Sequence, residues 1–433
     1  MAKTPDLTPA GTTVLAAPVK PESVTAISEK LSRPTWAEIS LPALRRNYAR
    51  VRKLADYRKL MAVTKADAYG HGAPNVAQVL EACGADWFGV ATVDEAIELR
   101  AAGVTRPILL LGGLYMSDPA ALIEFRLTPT VSSTARLDTY ADCAHQFGQA
   151  VDFHLKVDTG MGRLGIPPNL LESFMERLAD LNEGASPSEG RLQLSGFFTH
   201  LASAEDLVAT QTDDQLARFT RALGRLRALG AEPRWVHVSN SAALLARTDV
   251  QENMVRVGAL LYGYCLPLAL PAGSERRTPA EFEPVLSFRS RVVFLKDHPA
   301  GTPLGYSASF FTRRPSRIAT IPVGYADGLS RALSNRGQVI LRGSFARIVG
   351  NISMDMTLVD VTDIPGVAVG DEVTLIGQSG GLSITATEVA QAIGTIPYEV
   401  LCSIGKRVPR IYLECPDASE EPSPVKRLGN ILR

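Results

Sequence analysis

Several reactive side chains in this sequence fall just beyond short apolar runs. In Met61-Ala-Val-Thr-Lys65-Ala-Asp-Ala-Tyr69-Gly-His-Gly-Ala73 the apolar stretch Leu60 to Val63 reads as a buried strand that ends at Lys65. Gly-His-Gly punctuation follows, then a helical pattern over Asn75 to Cys83. A lysine at the carboxyl end of a strand can show its amine to a ligand, and in an α/β barrel that edge carries the chemistry. Burial favours the neutral amine, the form that attacks a carbonyl. Spacing alone leaves open a surface lysine that closes a strand. Lys156, Asp158 and Arg163 lie at and beyond the end of Val151–Val157, and His200 closes Leu194–His200. Asn240 and Ser241 follow Trp235, and Arg256 and Gly258 follow Met254. Ser241 offers a hydroxyl, and Gly258 a backbone N–H that no side chain shields.

Positioning these groups requires alternating strands and helices, and the sequence has them. Arg58–Thr64, Trp87–Thr92, Pro107–Gly112, Leu127–Val131, Val151–Val157, Leu194–His200, Trp235–Asn240 and Met254–Gly258 read as eight strands, with helical spacing between the early ones. Eight such repeats predict a (β/α)8 barrel of the TIM type, over residues 34–282. An open doubly wound sheet is the rival, and it wants a G-x-G-x-x-G after its first strand, which is absent. Phosphate sites in barrels often lie in the loops after strands seven and eight, where Ser241 and Gly258 fall. An aldehyde-reactive lysine facing a phosphate cradle suggests pyridoxal 5′-phosphate. From about Glu283 the texture changes to short Val-, Ile- and Thr-rich runs divided by turn residues, which predicts a mostly β domain over 283–415. Residues 1–33 read as a mobile tail rich in Thr, Pro, Ala and Lys, and 416–433 as a polar tail.

Composition excludes several classes. The chain has 433 residues, with Lys plus Arg equal to Asp plus Glu at 45 each, so no basic field favours nucleic acid or an anionic membrane. Five scattered cysteines without a CxxC pair argue against a disulfide scaffold or a zinc site and fit a reducing cytoplasm. No apolar run reaches the roughly 18 residues of a membrane span. No metal is expected.

Ala62-Val-Thr-Lys-Ala-Asp-Ala-Tyr-Gly-His-Gly72 resembles the cofactor-lysine motif of bacterial alanine racemases, which are fold-type III pyridoxal enzymes. The resemblance continues through Lys156-Val-Asp-Thr-Gly-Met-Gly-Arg-Leu-Gly165, Thr199-His200, Ser239-Asn-Ser-Ala242, Val255-Arg-Val-Gly258, Gly305-Tyr306, Ile321 to Gly328, Ser353-Met-Asp-Met356 and Arg407-Val-Pro-Arg410. It covers roughly Arg33 to Tyr412 across both predicted domains.

The resemblance implies that Lys65 holds the cofactor and serves as base on one face of the substrate Cα. Tyr306, supplied by the β domain of a second subunit, is then the acid/base on the other face, as stereoinversion needs. A free phenol has a pKa near ~10, so it needs help from its neighbours. His200 and Arg256 are the implied relay, with Arg256 facing the pyridine nitrogen; an arginine keeps its proton, which should leave that nitrogen unprotonated and suppress transamination. Arg163 is implied near the cofactor's phenolic oxygen and the substrate carboxylate, with Lys156 beside it as a possible carbamylation site. Tyr69, Asn240, Ser241, Gly258 and Ala259 are the implied cofactor contacts. Met354 is implied at the substrate carboxylate through its backbone N–H, and Tyr325 and Glu205 along the access corridor. Two positions depart from the family pattern: Asn351 stands where many members have arginine, and Lys406 where some have tyrosine. The implied activity is interconversion of L- and D-alanine for peptidoglycan by a cytoplasmic head-to-tail homodimer with shared sites. A racemase of wider range, a non-catalytic pyridoxal-phosphate carrier and a fold-type III decarboxylase are the alternatives. Taken singly, Tyr306 could be a surface aromatic, His200 a core histidine and Asp158 a turn residue. Asp327 and Asp355 could be turn or interface residues.

Overall fold

The computed structural model describes residues 31–185, 190–247, 249–250, 252–270 and 282–414. A first strand, β1 (Thr35–Ser40), leads into the helix Leu41–Ala55, whose start is capped by the Ser40 hydroxyl. Eight parallel strands then close a barrel: β2 (Lys59–Val63), β3 (Trp87–Val90), β4 (Ile108–Leu110), β5 (Leu127–Val131), β6 (Val151–Lys156), β7 (Leu192–Phe198), β8 (Trp235–His237) and β9 (Met254–Val257). β9 pairs with β2, setting Met61 opposite Arg256 and Ala62 opposite Val257.

Successive strand residues point to opposite sides of the barrel wall. Outward Leu60, Ala62, Phe153, Leu155, Val255 and Val257 merge into the core beneath the helices. Inward Met61, Trp87, Leu109 and Met254 form a separate apolar plug. Further along the strands the inward positions turn polar: His154, Lys156, His237 and Arg256 are each 0–4% exposed. The barrel thus has an oily floor and a charged layer facing its carboxyl-end mouth.

The second domain is built on a ten-stranded sheet. β1 lies inside it, antiparallel to Leu286–Arg291 and parallel to the last strand, Arg410–Leu413. This corrects the sequence boundary, which assigns Thr35–Ser40 to the barrel. The cause is a long-range pairing, Trp36 opposite Arg289, that local alternation does not encode. Arg33 also departs from the expected mobile tail. Its guanidinium forks onto the buried Asp327 carboxylate, with Nη1 2.6 Å from Oδ1, and Arg407 Nε lies 3.0 Å from the same oxygen. Asp327 is therefore a buried ionic anchor, and Asp355 accepts from Arg407 at 2.6 Å. Residues 1–30 and the tail 416–433 lie outside the described residues. No described helix is long and apolar enough to cross a membrane.

Candidate active site

Lys65 opens a short left-handed turn. Ala66, Asp67, Ala68 and Tyr69 all have φ between +53° and +55°. L-residues resist that conformation by about 1–2 kcal/mol each, so the surroundings must impose it. Four groups do so. The Ala66 N–H donates to Glu95 Oε1 at 2.7 Å, and the Ala73 N–H to Asp67 Oδ1 at 2.7 Å. Arg410, on the last strand of the β domain, donates twice to the Gly70 carbonyl, at 3.1 and 3.0 Å. Gly70 sits so tightly under Leu401 that a Cβ there would lie 2.4 Å from the Leu401 carbonyl oxygen. The second domain thus clamps the turn that aims Lys65. Burial, then the positive charge of Arg163, hold the Lys65 ammonium below its usual range, against Glu95 and Cys402. Cys402, at the end of the helix Pro397–Cys402, is a neighbour that the sequence did not single out.

Arg256 is the most heavily bonded cation in the mouth. Its Nη1 donates to His237 Nδ1 at 2.9 Å and to the His237 carbonyl at 3.0 Å. Its Nη2 donates to the Thr199 and Val238 carbonyls at 2.9 Å each and lies 3.4 Å from His200 Nδ1. A guanidinium only donates, so His237 Nδ1 accepts and the ring's proton sits on Nε2, 2.9 Å from His154 Nδ1. Burial, then Arg256, push His237 well below its ordinary range and His154 to about 3. His200 falls to about 3 through burial and the charges of Arg256, Lys156, Arg163 and Lys65. All three imidazoles are neutral at physiological pH. Burial lowers Arg256 to about 10, which still leaves it a cation there. His154 and His237 escaped the sequence reading, although strand alternation puts His154 on the same face as Lys156.

Lys156 is buried with its ammonium 5.7 Å from the Phe198 ring centre. Burial, then Arg256 and Arg163, lower it to about 8 despite Asp158. Asp158 itself shapes the loop: its carboxylate accepts the backbone N–H groups of Gly160, Met161 and Gly162 at 2.9–3.1 Å. Arg163, at the far end of that loop, is exposed.

The groups expected at the phosphate do converge. The Gly258 N–H donates to Ser241 Oγ at 3.1 Å. A Cβ at Gly258 would lie 2.6 Å from the Tyr69 hydroxyl. The Tyr69 ring is held between Tyr262, at 5.0 Å, and Tyr398, at 6.0 Å. Asn240 caps the helix Ser241–Ala246, accepting from the Ala243 N–H at 3.0 Å, and Ala259 is buried beside Gly258. A hydroxyl pair around a glycine with no room for a side chain, at the rim that carries a low-pKa lysine, fits pyridoxal 5′-phosphate.

Of the remaining predicted residues, Tyr306, Met354 and Tyr325 lie on the β domain and are exposed. Tyr306 is 71% exposed, Met354 51% and Tyr325 44%. Tyr325 and Met354 sit on adjoining backbones, with the Tyr325 N–H donating to the Ser353 carbonyl at 3.0 Å and the Ala326 N–H to the Met354 carbonyl at 3.1 Å. Asn351 Nδ2 donates to the Tyr306 carbonyl at 2.9 Å. Glu205 is half-buried near Cys265 and Tyr398, and Lys406 is exposed.

Comparison with known proteins agrees with this geometry. Residues 39–266 match the family model of the alanine racemase N-terminal domain, and 285–412 that of the C-terminal domain. The alanine racemase of Syntrophobacter fumaroxidans is 43% identical over 373 residues, 86% of this chain and 96% of that protein. The crystal structure of alanine racemase from Streptomyces lavendulae superposes with a TM-score of 0.80 at 33% identity, covering 90% of this chain and 99% of the other. That of Bartonella henselae, described with covalently bound pyridoxal phosphate, gives 0.75 at 32% identity, covering 88% and 99%. Both halves match in order and over nearly their whole length, so the chain belongs to the alanine racemase family.

Proposed function

We propose that this chain interconverts L- and D-alanine with pyridoxal 5′-phosphate, using Lys65 of one subunit and Tyr306 of another on opposite faces of the substrate Cα. The observation that carries the proposal is the division of the site. Lys65, His200, Arg256 and the Tyr69–Ser241–Gly258 cradle converge at one barrel mouth, while Tyr306 stands 71% exposed on the β domain. Tyr306, Phe311, Tyr325, Met354 and Met356 are all 44–71% exposed, an apolar edge suited to cover a partner's barrel mouth in a head-to-tail homodimer.

Bound pyridoxal 5′-phosphate supplies an electron-withdrawing ring that makes the substrate Cα–H acidic. The protein's own groups do the rest. Tyr69, Ser241 and the Gly258 backbone would hold the phosphate, and Asn240 and Ala259 shape the cradle. Arg256 would face the pyridine nitrogen as a fixed cation that does not release its proton. Lys65, its ammonium disfavoured by burial and by the charge of Arg163, takes the Cα proton on one face. Tyr306 of the partner returns a proton to the other face, and His200 passes the influence of Arg256 to the phenol. Arg163 and the Met354 N–H receive the substrate carboxylate, and Tyr325 and Glu205 border its path. Carbamylation of Lys156 would turn a buried cation into an anion facing Arg256 and Arg163; its lowered pKa makes the amine reactive enough. The D-alanine would serve peptidoglycan, and the free cysteines suit a cytoplasmic enzyme.

The test is an absorbance spectrum of the purified protein before and after borohydride, with peptide mapping, beside racemization assays across amino acids. The expected result is a reducible cofactor band, a label on Lys65, and a kcat/KM for alanine far above all others. A label elsewhere, or no racemization, would contradict the proposal. Comparable kcat/KM for serine or basic amino acids would favour a broader racemase, the reading to which Asn351 and Lys406 lend weight.

A further inference from the structure

Tyr306 occupies an awkward piece of backbone. Gly305 has φ +71°, and Ser307 and Ala308, neither of them glycine, have φ +60° and +47°. The strands that flank this turn, Pro303–Leu304 and Phe310–Phe311, pair over two residues each, too little to fix its conformation. Support comes from a different part of the chain. Asn351 Nδ2 donates to the Tyr306 carbonyl at 2.9 Å. The two backbones touch beside it: a Cβ at Gly305 would lie 3.1 Å from the Asn351 nitrogen, and one at Gly350 3.2 Å from the Leu304 carbonyl oxygen. Asn335 braces the arrangement from behind. Its Oδ1 accepts the Gly350 N–H at 2.7 Å while its Nδ2 donates to the Ser309 carbonyl at 3.2 Å.

We infer that Asn351 is a positioning residue for Tyr306: its side-chain amide caps the Tyr306 carbonyl and fixes the strained turn that aims the phenol at the partner's site. The inference rests on the proposed role of Tyr306 and deepens it. It gives this chain's departure from the family pattern a purpose. A short neutral amide reaches the carbonyl from the adjoining backbone and lets Gly305 and Gly350 approach one another. A proton transfer needs its groups within about 3 Å along a hydrogen-bonding line, so a loosened turn slows the step made by Tyr306 and spares the one made by Lys65.

That asymmetry supplies the test. Asn351→Asp keeps the shape of the side chain and removes the donor; Asn351→Ala removes both; Asn351→Gln keeps the donor on a longer stem. In the holoenzyme, N351D and N351A should lower kcat about ten-fold with KM within two-fold, and N351Q should recover part of the loss. The primary isotope effect with α-deuteroalanine should rise for the enantiomer whose Cα–H faces the phenol and fall for the other, whose proton Lys65 removes before the slowed return from Tyr306. Hydrogen exchange over residues 304–311, measured with and without cofactor, should quicken in N351A and not over 64–72. Thermal unfolding midpoints check that each variant folds, and Asn335→Ala, which loosens the same brace, stands in for any that does not. Equal isotope-effect changes for both enantiomers, or unchanged kcat and exchange in N351D and N351A, would overturn the inference while leaving Tyr306 as the base. Full activity in Tyr306→Phe would instead remove the base itself and this inference with it.

Discussion

The barrel mouth and the outer edge of the β domain are built on opposite plans. At the mouth the central groups are buried or half-buried and tied to their own chain: Arg256 makes bonds to carbonyls from β8 and from beyond β7, and a strained turn holding Lys65 is clamped from both domains. At the edge, Tyr306, Tyr325 and Met354 are exposed, and what the chain fixes is their backbone. The mouth is equipped to bind a cofactor within one chain. The edge makes sense as equipment for another chain. The two regions are therefore built differently: the barrel mouth is stiffened by its own fold, and the edge that carries Tyr306 is left exposed, as the proposed sharing of sites between chains requires.

Substitutions on the two sides should fail in different ways. Lys65→Ala should have the largest effect, with racemization lost by ten-thousand-fold or more and no borohydride-fixed cofactor. Tyr306→Phe should lower kcat by about a hundred- to ten-thousand-fold while the cofactor spectrum stays normal. A Tyr306→Phe protein that also lost its cofactor would blur the division between the two regions. Arg256→Lys keeps the charge but cannot satisfy every acceptor around the guanidinium. With each buried unsatisfied acceptor costing about 1–3 kcal/mol, its melting temperature should drop by several degrees and its kcat fall along with it. Gly258→Ala should weaken cofactor binding about ten-fold or more without unfolding the barrel, because the added methyl meets a Tyr69 ring that Tyr262 and Tyr398 hold in place. Titration of released cofactor would measure it.

Lys156 offers the smallest and most pH-dependent effect. Its folded pKa, about 8, lies below the ordinary value of 10.5, so the folded state favours the neutral amine. The stability it contributes is present above 10.5 and is lost as the pH falls from 10.5 to 8, leaving a penalty below that of order 3 kcal/mol at most. Lys156→Met should thus be more stable than the parent at pH 7 in carbon dioxide-free buffer, by about 1–3 kcal/mol in denaturant unfolding. The advantage should shrink as pH rises from 8 to 10.5. An advantage that is constant across that window would mean that the ammonium is not desolvated.

The legible parts of this molecule are those encoded locally. All eight barrel strands are legible as short strand-like stretches, Leu127–Val131 the weakest of them, and Lys65, His200, Ser241 and Gly258 follow from where those stretches stop. What escaped depends on distant partners. Nothing in Thr35–Ser40 says that its neighbours are residues 286–291 and 410–413. The left-handed turn after Lys65 is spelled Ala-Asp-Ala-Tyr, with no glycine among the strained residues, because Glu95 and Arg410 impose it from elsewhere. His154 and His237 read as ordinary strand residues until the barrel closes and sets them against Arg256. Asn351 was visible as a departure from a pattern, but its direction, toward the Tyr306 carbonyl, is a property of the folded backbone.

The division between the two regions is tested most directly by mixing subunits. Lys65→Ala and Tyr306→Phe chains, each nearly inactive alone, are refolded or exchanged together and the heterodimer is isolated with two different affinity tags. One composite site should then hold an intact Lys65 and an intact Tyr306, and racemization should return to about half the parental rate per dimer. Heterodimers of confirmed composition that remain as inactive as their parents would contradict a site shared between chains.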